Sequence, residues 1–170
     1  MPLIVRDATP ADVPAIAALY ADEVRDHVNT YEYDVPDDAE MARRMRGVLD
    51  AGYPYLVAEL DGEFVGYAYA SSYRARAGYR KTVENSVYVS PDHRGSGIGR
   101  SLMKALIERA RMLEKHVMVA FIESENRASV HMHQQLGFIH VGQMRQVGCK
   151  FGRWLDLTMM QLTLNRTSKP

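Results

Sequence analysis

The sequence has no excess of charge of either sign. Lysine and arginine together number 21, aspartate and glutamate together also number 21, and the formal net charge over 170 residues is zero. Proteins that bind nucleic acids gain much of their affinity by neutralising phosphates, and they usually carry a basic excess. We therefore expect no nucleic-acid partner.

Cysteine is almost missing, and so are long apolar runs. The single cysteine, Cys149, excludes an internal disulfide framework and a cysteine-rich metal site, so no metal cofactor is expected. We interpret Cys149 as a partly buried structural thiol rather than a nucleophile. The first ten residues contain no basic stretch followed by an apolar core, and no apolar run approaches the roughly 20 residues that cross a bilayer. A cytoplasmic location without a membrane partner is the expectation.

Linkers, repeats and low-complexity tracts are missing as well, which predicts a single domain over residues 1–165 and a short polar C-terminal tail at 166–170. Alternation, helical spacing and turn residues predict the elements, including a hairpin across Asp61-Gly62. Leu49 and Leu113 are placed on the buried faces of their helices. The predicted strands are 3–6, 53–60, 64–73, 82–90, 116–122 and a final hairpin of 138–147 with 154–164; the predicted helices are 10–28, 37–50, 98–113 and 126–136. This order gives an α/β (α+β) fold with one central mixed sheet.

The strongest motif is a glycine-rich turn between the strand that ends near Ser90 and the helix that begins near Ile98. Gly95, Gly97 and Gly99 let backbone N–H groups turn inward without obstruction by a Cβ atom. Together with the positive end of the following helix, these donors form a site suited to a diphosphate.

Three phosphate-binding motifs compete for this turn. A P-loop ends in Gly-Lys-Ser/Thr, whereas this turn ends in Gly99-Arg100-Ser101 and lacks the four-residue glycine spacing. A Rossmann fingerprint places a third glycine three positions after the second, where this sequence has Arg100 or Leu102. The pattern that remains is Arg-x-x-Gly-x-Gly, formed by Arg94, Gly97 and Gly99.

This pattern resembles the pyrophosphate signature of the GCN5-related N-acetyltransferases (GNAT), and its place after several predicted antiparallel strands strengthens the resemblance. Residues 126–129, Asn-Arg-Ala-Ser, ahead of Leu136-Gly137-Phe138 are similar to the second cofactor-contacting helix of that superfamily. The resemblance implies a GNAT fold, in which helices flank a mixed, mostly antiparallel sheet, and acetyl-CoA as co-substrate. The cofactor-binding residues that it implies are Val87, Tyr88, Val89, Arg94, Gly95, Ser96, Gly97, Ile98, Gly99, Arg100 and Asn126.

Within the superfamily, the chain is similar to the phosphinothricin and methionine-sulfoximine acetyltransferases. The similarity lies in the strand 82–90, in residues 73–76, in His133 and in 148–156; the segments 116–124 and 150–158 are closest to the branch that acetylates methionine sulfoximine and methionine sulfone. It extends from Ile4 to Leu162 and is weakest between residues 32 and 52. Homodimers are usual in this family, so the resemblance also implies a homodimer.

Acetyl transfer requires a base, because a protonated amine cannot attack a thioester and an α-amine is mostly protonated at neutral pH. Glu84, at the start of its strand, is the candidate base and matches the base proposed for the family; the alternative is a carboxylate paired with Arg or Lys. In most superfamily members, a tyrosine on the second cofactor-contacting helix protonates the leaving thiolate. This chain has His133 at that position. His133 is the candidate acid, alone or through a water, and the alternative is an ordinary surface residue. Backbone N–H groups of residues 87–89 are the candidate oxyanion donors.

The loop before the Glu84 strand is basic, and its charge predicts an anionic or zwitterionic acceptor. Arg74 and Arg76 suit the α-carboxylate of an amino acid, since guanidinium groups bind carboxylates bidentately. The substrate-binding candidates are Arg74, Ala75, Arg76, Glu84, Asn85 and Ser86. The sequence thus predicts an acetyl-CoA-dependent N-acetyltransferase that acts on the α-amine of a small amino acid or analogue, such as L-methionine sulfoximine, L-methionine sulfone or phosphinothricin. The alternatives are acetylation of a protein or peptide, and a non-catalytic acetyl-CoA sensor.

Overall fold

The computed structural model describes residues 2–166 and 169–170. The predicted polar tail, 166–170, therefore falls partly outside the described residues, at Thr167 and Ser168. Seven strands and four α-helices follow one another along the chain: β1 Leu3–Asp7, α1 Val13–Asp26, α2 Asp38–Asp50, β2 Tyr55–Leu60, β3 Glu63–Ser72, β4 Thr82–Val89, α3 Ile98–Met112, β5 Val117–Glu123, α4 Arg127–Gln135, β6 Ile139–Lys150 and β7 Arg153–Thr163.

The strands form one sheet in the order β1-β2-β3-β4-β5-β7-β6. Strands β4 and β5 pair in parallel, while the other five described pairings are antiparallel. The prediction of a mixed, mostly antiparallel sheet flanked by helices is confirmed. Among the residues described, no helix combines the length and the apolar character needed to traverse a bilayer.

Local signals in the sequence set the boundaries of several elements. Asp37 caps α2, because its side chain accepts a hydrogen bond of 2.8 Å from the Glu40 amide. Asp61 and Gly62 have φ angles of 53° and 85°, which form the predicted two-residue turn between β2 and β3. Phe151 and Gly152, at 51° and 70°, form a second such turn between β6 and β7.

That second turn corrects the predicted final hairpin. The sequence predicts that the first strand of this hairpin ends at residue 147, but β6 continues to Lys150. Gly148 lies inside β6 for a packing reason: a Cβ atom there would stand 2.5 Å from the ring of Tyr31.

Two apolar clusters lie on opposite faces of the sheet. Helices α1 and α2 cover one face, with Ile16, Val24, Met41 and Met45 buried against the sheet. Helix α3 covers the other, and its residues Leu102, Met103, Leu106 and Ala110 are fully buried. Helix α4 packs on the same face of the sheet as α3.

Three burial predictions are wrong. Leu49 and Leu113 are about 40% exposed, since each lies in the last turn or at the end of its helix, where the apolar stripe has rotated off the sheet. Cys149 is exposed rather than partly buried, because β6 is the outermost strand of the sheet.

The feature that creates the site is the separation of β4 from β5. Their paired positions are Thr82 with Val117, Val83 with Met118 and Glu84 with Val119, and the pairing ends there. Strand β4 continues to Val89 and β5 to Glu123, so the two strands diverge and leave a gap between them.

Candidate active site

A cavity of about 820 Å³ occupies the gap between β4 and β5. Its walls are β4 from Glu84 to Val89, β5 from Ala120 to Glu123, the glycine-rich turn, the start of α4, and residues 27–30 after α1. The cavity therefore brings together three segments that the sequence analysis predicted as functional: the Glu84 strand, the glycine-rich turn and the helix that begins at Asn126.

The glycine-rich turn has the backbone conformation expected of an anion site. Gly95 and Gly97 have φ angles of 78° and 86°, and Gly97 is the N-cap of α3. Among the described residues, apart from each glycine and its two chain neighbours, no heavy atom lies within 4 Å of the place where its Cβ atom would stand, so a ligand can approach the backbone closely. The first turn of α3 has no acidic residue, which leaves the positive end of the helix uncompensated.

The backbone of β4 directs alternate N–H groups into the gap. The Ser90 amide donates to the Val65 carbonyl at 2.9 Å, which makes this a hydrogen-bonded pair of the antiparallel β3–β4 ladder. By alternation, Tyr88 bonds to β3, whereas Val87 and Val89 direct their N–H and C=O groups away from β3. Of the three predicted oxyanion donors, Val87 and Val89 thus present their amides to the cavity.

Glu84 lies at the inner end of the gap, on the sheet face covered by α1 and α2. It shares this face with Ser86 and Tyr69, which are directly opposite each other on β4 and β3. Burial raises the pKa of Glu84 above its ordinary value. No salt bridge involving Glu84 occurs in residues 2–166, so its alternative interpretation as an ion-paired carboxylate is not supported. A partly desolvated, unpaired carboxylate is a suitable proton acceptor.

Asn85 and His133 lie on the opposite face, beneath the point where the strands separate. The Asn85 amide donates to the Val119 carbonyl at 3.1 Å and thereby continues the link between β4 and β5 by one residue. His133 is 1% exposed, so it is not the surface residue of the alternative interpretation. Its Nδ1 lies 2.8 Å from the Ser129 carbonyl and its Nε2 lies 3.1 Å from Asn85 Oδ1. Burial lowers the pKa of His133, and the Ser129 carbonyl partly offsets this effect.

The predicted acceptor loop does not line the cavity. Arg74, Ala75 and Arg76 are exposed, and the Arg74 guanidinium lies over the Tyr73 ring, 5.1 Å from its centroid. Tyr73 in turn stacks on Phe121, a cavity residue, with ring centroids 6.0 Å apart. In the part of the chain that the structure describes, the loop contacts the cavity through these two rings, and the Arg74 and Arg76 side chains do not line it.

Two predicted cofactor-binding side chains are already engaged by the protein. Arg94 donates from Nε to the Val89 carbonyl at 3.3 Å and from Nη2 to Glu23 at 2.5 Å. Asn126 caps α4 by accepting from the Ser129 amide at 3.1 Å, and it donates to Asn29 at 2.9 Å. Glu23 and Asn29 are cavity residues that the sequence analysis missed. The signal that could have identified Glu23 is the presence of an acidic residue among the apolar positions of α1.

His93 also lines the cavity and was not predicted. Its Nδ1 is the buried side-chain polar atom without a hydrogen-bond partner among the described residues. Buried polar atoms normally have a partner, so this atom is consistent with a ligand that contributes one. In the same described part of the chain, no three His, Cys, Asp or Glu side chains are grouped as metal ligands.

The open glycine backbone, the uncompensated start of α3 and the unpartnered His93 nitrogen are consistent with a cosubstrate that carries a diphosphate. The model of the acetyltransferase (GNAT) family matches residues 14–138. The L-methionine sulfoximine/L-methionine sulfone acetyltransferase of Pseudomonas aeruginosa is 50% identical over 164 residues, which cover 96% of this chain and 95% of that protein. The phosphinothricin N-acetyltransferase of Alcaligenes faecalis is 48% identical over 163 residues, covering 95% of this chain and 81% of that protein.

A solved structure, yncA of Salmonella typhimurium with its cofactor acetyl-CoA, superposes with a TM-score of 0.97 at 44% identity, covering 100% of this chain and 98% of that one. The family match covers more than half of the chain, and the relatives match nearly all of it. The chain therefore belongs to the acetyltransferase (GNAT) family, whose members transfer acetyl groups from acetyl-CoA.

Proposed function

We propose that this protein acetylates the α-amine of a small amino acid or amino-acid analogue, with L-methionine sulfone and L-methionine sulfoximine as the leading acceptors and phosphinothricin as a further one. The observation that carries the proposal is the position of Glu84, an unpaired and partly buried carboxylate at the inner end of a cavity whose outer rim is the glycine-rich turn. The names of the relatives support the choice of acceptor.

Binding of acetyl-CoA would use the backbone and the cavity walls. The amides of residues 95–100 receive the diphosphate, Ser96, Ile98 and Arg100 complete this turn, and the pantetheine arm lies along β4 toward Glu84. The Val87 carbonyl, on the strand edge that β5 leaves unpaired, suits an amide N–H of such an arm.

The chemistry is a direct transfer. Glu84 accepts a proton from the ammonium group of the acceptor, directly or through a water, and the free amine then attacks the thioester carbonyl. The Val87 and Val89 amides stabilise the negative charge on the carbonyl oxygen. The carbon–sulfur bond breaks, the attacking nitrogen gives its second proton to solvent water, and the thiolate takes a proton from protonated His133 or from a water that His133 holds.

The acceptor would lie on the Glu84 face of the sheet, next to Ser86. Its carboxylate is assigned to Arg74 and Arg76, with Ala75 between them, although these residues do not line the cavity of the single chain. The proposal therefore includes a homodimer in which the second chain closes the acceptor side of the cavity. The same proposal includes one catalytic domain over residues 1–165 and a cytoplasmic location.

Mass spectrometry with isotopically labelled acetyl-CoA tests the function. The protein is incubated with L-methionine sulfone and, separately, with a bacterial lysate whose proteins present N-termini and lysines. We expect label in N-acetyl-methionine sulfone and no enzyme-dependent label in proteins. Label in proteins alone would assign a protein acetyltransferase, and label in neither, despite measurable acetyl-CoA binding, would assign a sensor.

A further inference from the structure

A chain of hydrogen bonds along the cavity wall joins the glycine-rich turn, α1 with the segment that follows it, and the start of α4. Arg94, at the start of the glycine-rich turn, binds Glu23 of α1 at 2.5 Å. The second carboxylate oxygen of Glu23 accepts from Asn29 Nδ2 at 2.8 Å, and Asn29 Oδ1 accepts from Asn126 Nδ2 at 2.9 Å. All four residues line the cavity, so we refer to them together as the Glu23 bridge.

Glu23 is the buried member of this bridge. It is 2% exposed, while the Arg94 side chain is 39% exposed. A buried carboxylate is strongly unfavourable unless it is paired and hydrogen-bonded, and both oxygens of Glu23 have partners, Arg94 in the glycine-rich turn and Asn29 after α1. The carboxylate therefore fixes the distance between these partners more firmly than an exposed ion pair would.

The Glu23 end of the bridge is itself held in place. Lys150, 3% exposed at the end of β6, donates from Nζ to the carbonyls of His27 at 2.7 Å and Thr30 at 2.9 Å, and also contacts the Glu23 carbonyl at 3.5 Å. These bonds fix the last turn of α1 and the segment that carries Asn29. The bridge is thus anchored to the sheet rather than to a free loop.

One end of the bridge lies in the turn that leads into α3, and the other lies at the N-terminus of α4. Arg94 also donates to the Val89 carbonyl, which ties the first residue of the glycine-rich turn to the end of β4. Asn126 is the N-cap of α4. The spacing between the α3 and α4 ends of the cavity consequently depends on Glu23 and Asn29.

We infer that Glu23 is a positioning residue for acetyl-CoA: through Arg94 on one side and through Asn29 and Asn126 on the other, it sets the width of the cofactor cleft. Arg94 and Asn126 then act on the cosubstrate mainly through the backbone that they hold in place. The inference depends on the proposed acetyl-CoA site and is independent of which amine is acetylated.

The test is a Glu23→Gln variant, which keeps the size of the side chain but removes the charge that binds Arg94. Without the charge-assisted bond to Arg94 the cleft is no longer held at one width, so we expect the Kd of acetyl-CoA, measured by calorimetry, to rise at least about tenfold. The KM for acetyl-CoA should rise in parallel, while kcat at saturating acetyl-CoA and the KM of the amine stay within about twofold.

Glu59→Gln is the matched control. Glu59 binds Arg6 at the same 2.5 Å, and neither residue lines the cavity, so this variant loses an ion pair without touching the site. Asn29→Ala, at an exposed position, breaks the other half of the bridge and keeps the protein testable if Glu23→Gln fails to fold. We expect a smaller rise in Kd for Asn29→Ala and none for Glu59→Gln.

An unchanged Kd in a folded Glu23→Gln variant overturns the inference, as does an unchanged Kd in Asn29→Ala if Glu23→Gln does not fold. A fall in kcat with unchanged Kd also overturns it, because the residue would then act on the chemical step. If the unmodified protein binds acetyl-CoA but acetylates no amine, the proposed function fails while this inference is still decided by the Kd values.

Discussion

Nε2 of His133 lies 3.1 Å from Oδ1 of Asn85, directly beneath the point where β4 and β5 separate. Asn85 uses its other amide atom to bind the Val119 carbonyl, and Nδ1 of His133 faces the Ser129 carbonyl. Since both partners of the ring are hydrogen-bond acceptors, the neutral ring satisfies one contact and the protonated ring satisfies both. The hydrogen bond between the two side chains therefore couples the position of Asn85, at the edge of the gap, to the protonation state of His133.

Replacing His133 by alanine should lower kcat more than it weakens acetyl-CoA binding. A positioned proton donor contributes about 10²–10⁴-fold to a rate, and water replaces it in part, so we expect a fall of about 10²-fold in kcat measured by thiol release. The exposed His140 on β6 supplies the control, and His140→Ala should behave like the unmodified protein. A His133→Ala protein with normal kcat would remove His133 from the chemistry.

Glu84→Gln should abolish most of the activity and leave acetyl-CoA binding unchanged. Burial raises the pKa of Glu84, and the carboxylate must be unprotonated to accept a proton, so activity is lost as pH falls through this raised pKa. We expect the acid limb of kcat/KM to lie above the ordinary glutamate pKa of about 4.3 and to disappear in Glu84→Gln. An acid limb that persists in the variant would contradict this assignment.

Gly97→Ala should weaken acetyl-CoA binding through the backbone. At a φ of 86°, an alanine is strained and the turn is destabilised by about 1 kcal/mol or more. Gly52→Ala is the matched control, because Gly52 has a φ of 81°, an equally open Cβ position and no place in the cavity. Both variants should lose similar stability on chemical denaturation, but only Gly97→Ala should show a raised Kd by calorimetry; equal Kd values would argue against the turn as the diphosphate site.

Lys150→Met should destabilise the protein markedly. The variant leaves the His27 and Thr30 carbonyls without their donor in a buried place, and each unsatisfied buried group costs about 1–3 kcal/mol. We expect the free energy of unfolding in urea to fall by about 2–4 kcal/mol. A loss below about 0.5 kcal/mol, the usual range for surface substitutions, would show that these contacts contribute little.

The sequence predicted the order of the elements and the position of the glycine-rich turn well, because these depend on local signals. The Asp61-Gly62 turn, the Asp37 cap and the glycines at 95 and 97 each act within a few residues of the chain. Acetyl-CoA as co-substrate and the family came from resemblance, and the family match supports both.

What the sequence missed depends on contacts between distant residues. Glu23 and Arg94 are 71 positions apart, and Lys150 reaches His27 over 123 positions. The predicted strand ends just before Gly148, and nothing near this residue in the sequence indicates the Tyr31 ring that occupies the space beside it. Likewise, nothing in the sequence near Arg74 and Arg76 indicates that these two side chains lie outside the cavity, because their position depends on the fold.

Acetyl transfer to a free amino acid is the central claim, and the initial rate of acetyl-CoA-dependent thiol release over a panel of amino acids and analogues tests it most directly. The account predicts rapid release with L-methionine sulfone and L-methionine sulfoximine, and almost none when Glu84 is replaced by glutamine. No release above the hydrolysis background with any member of the panel would contradict it.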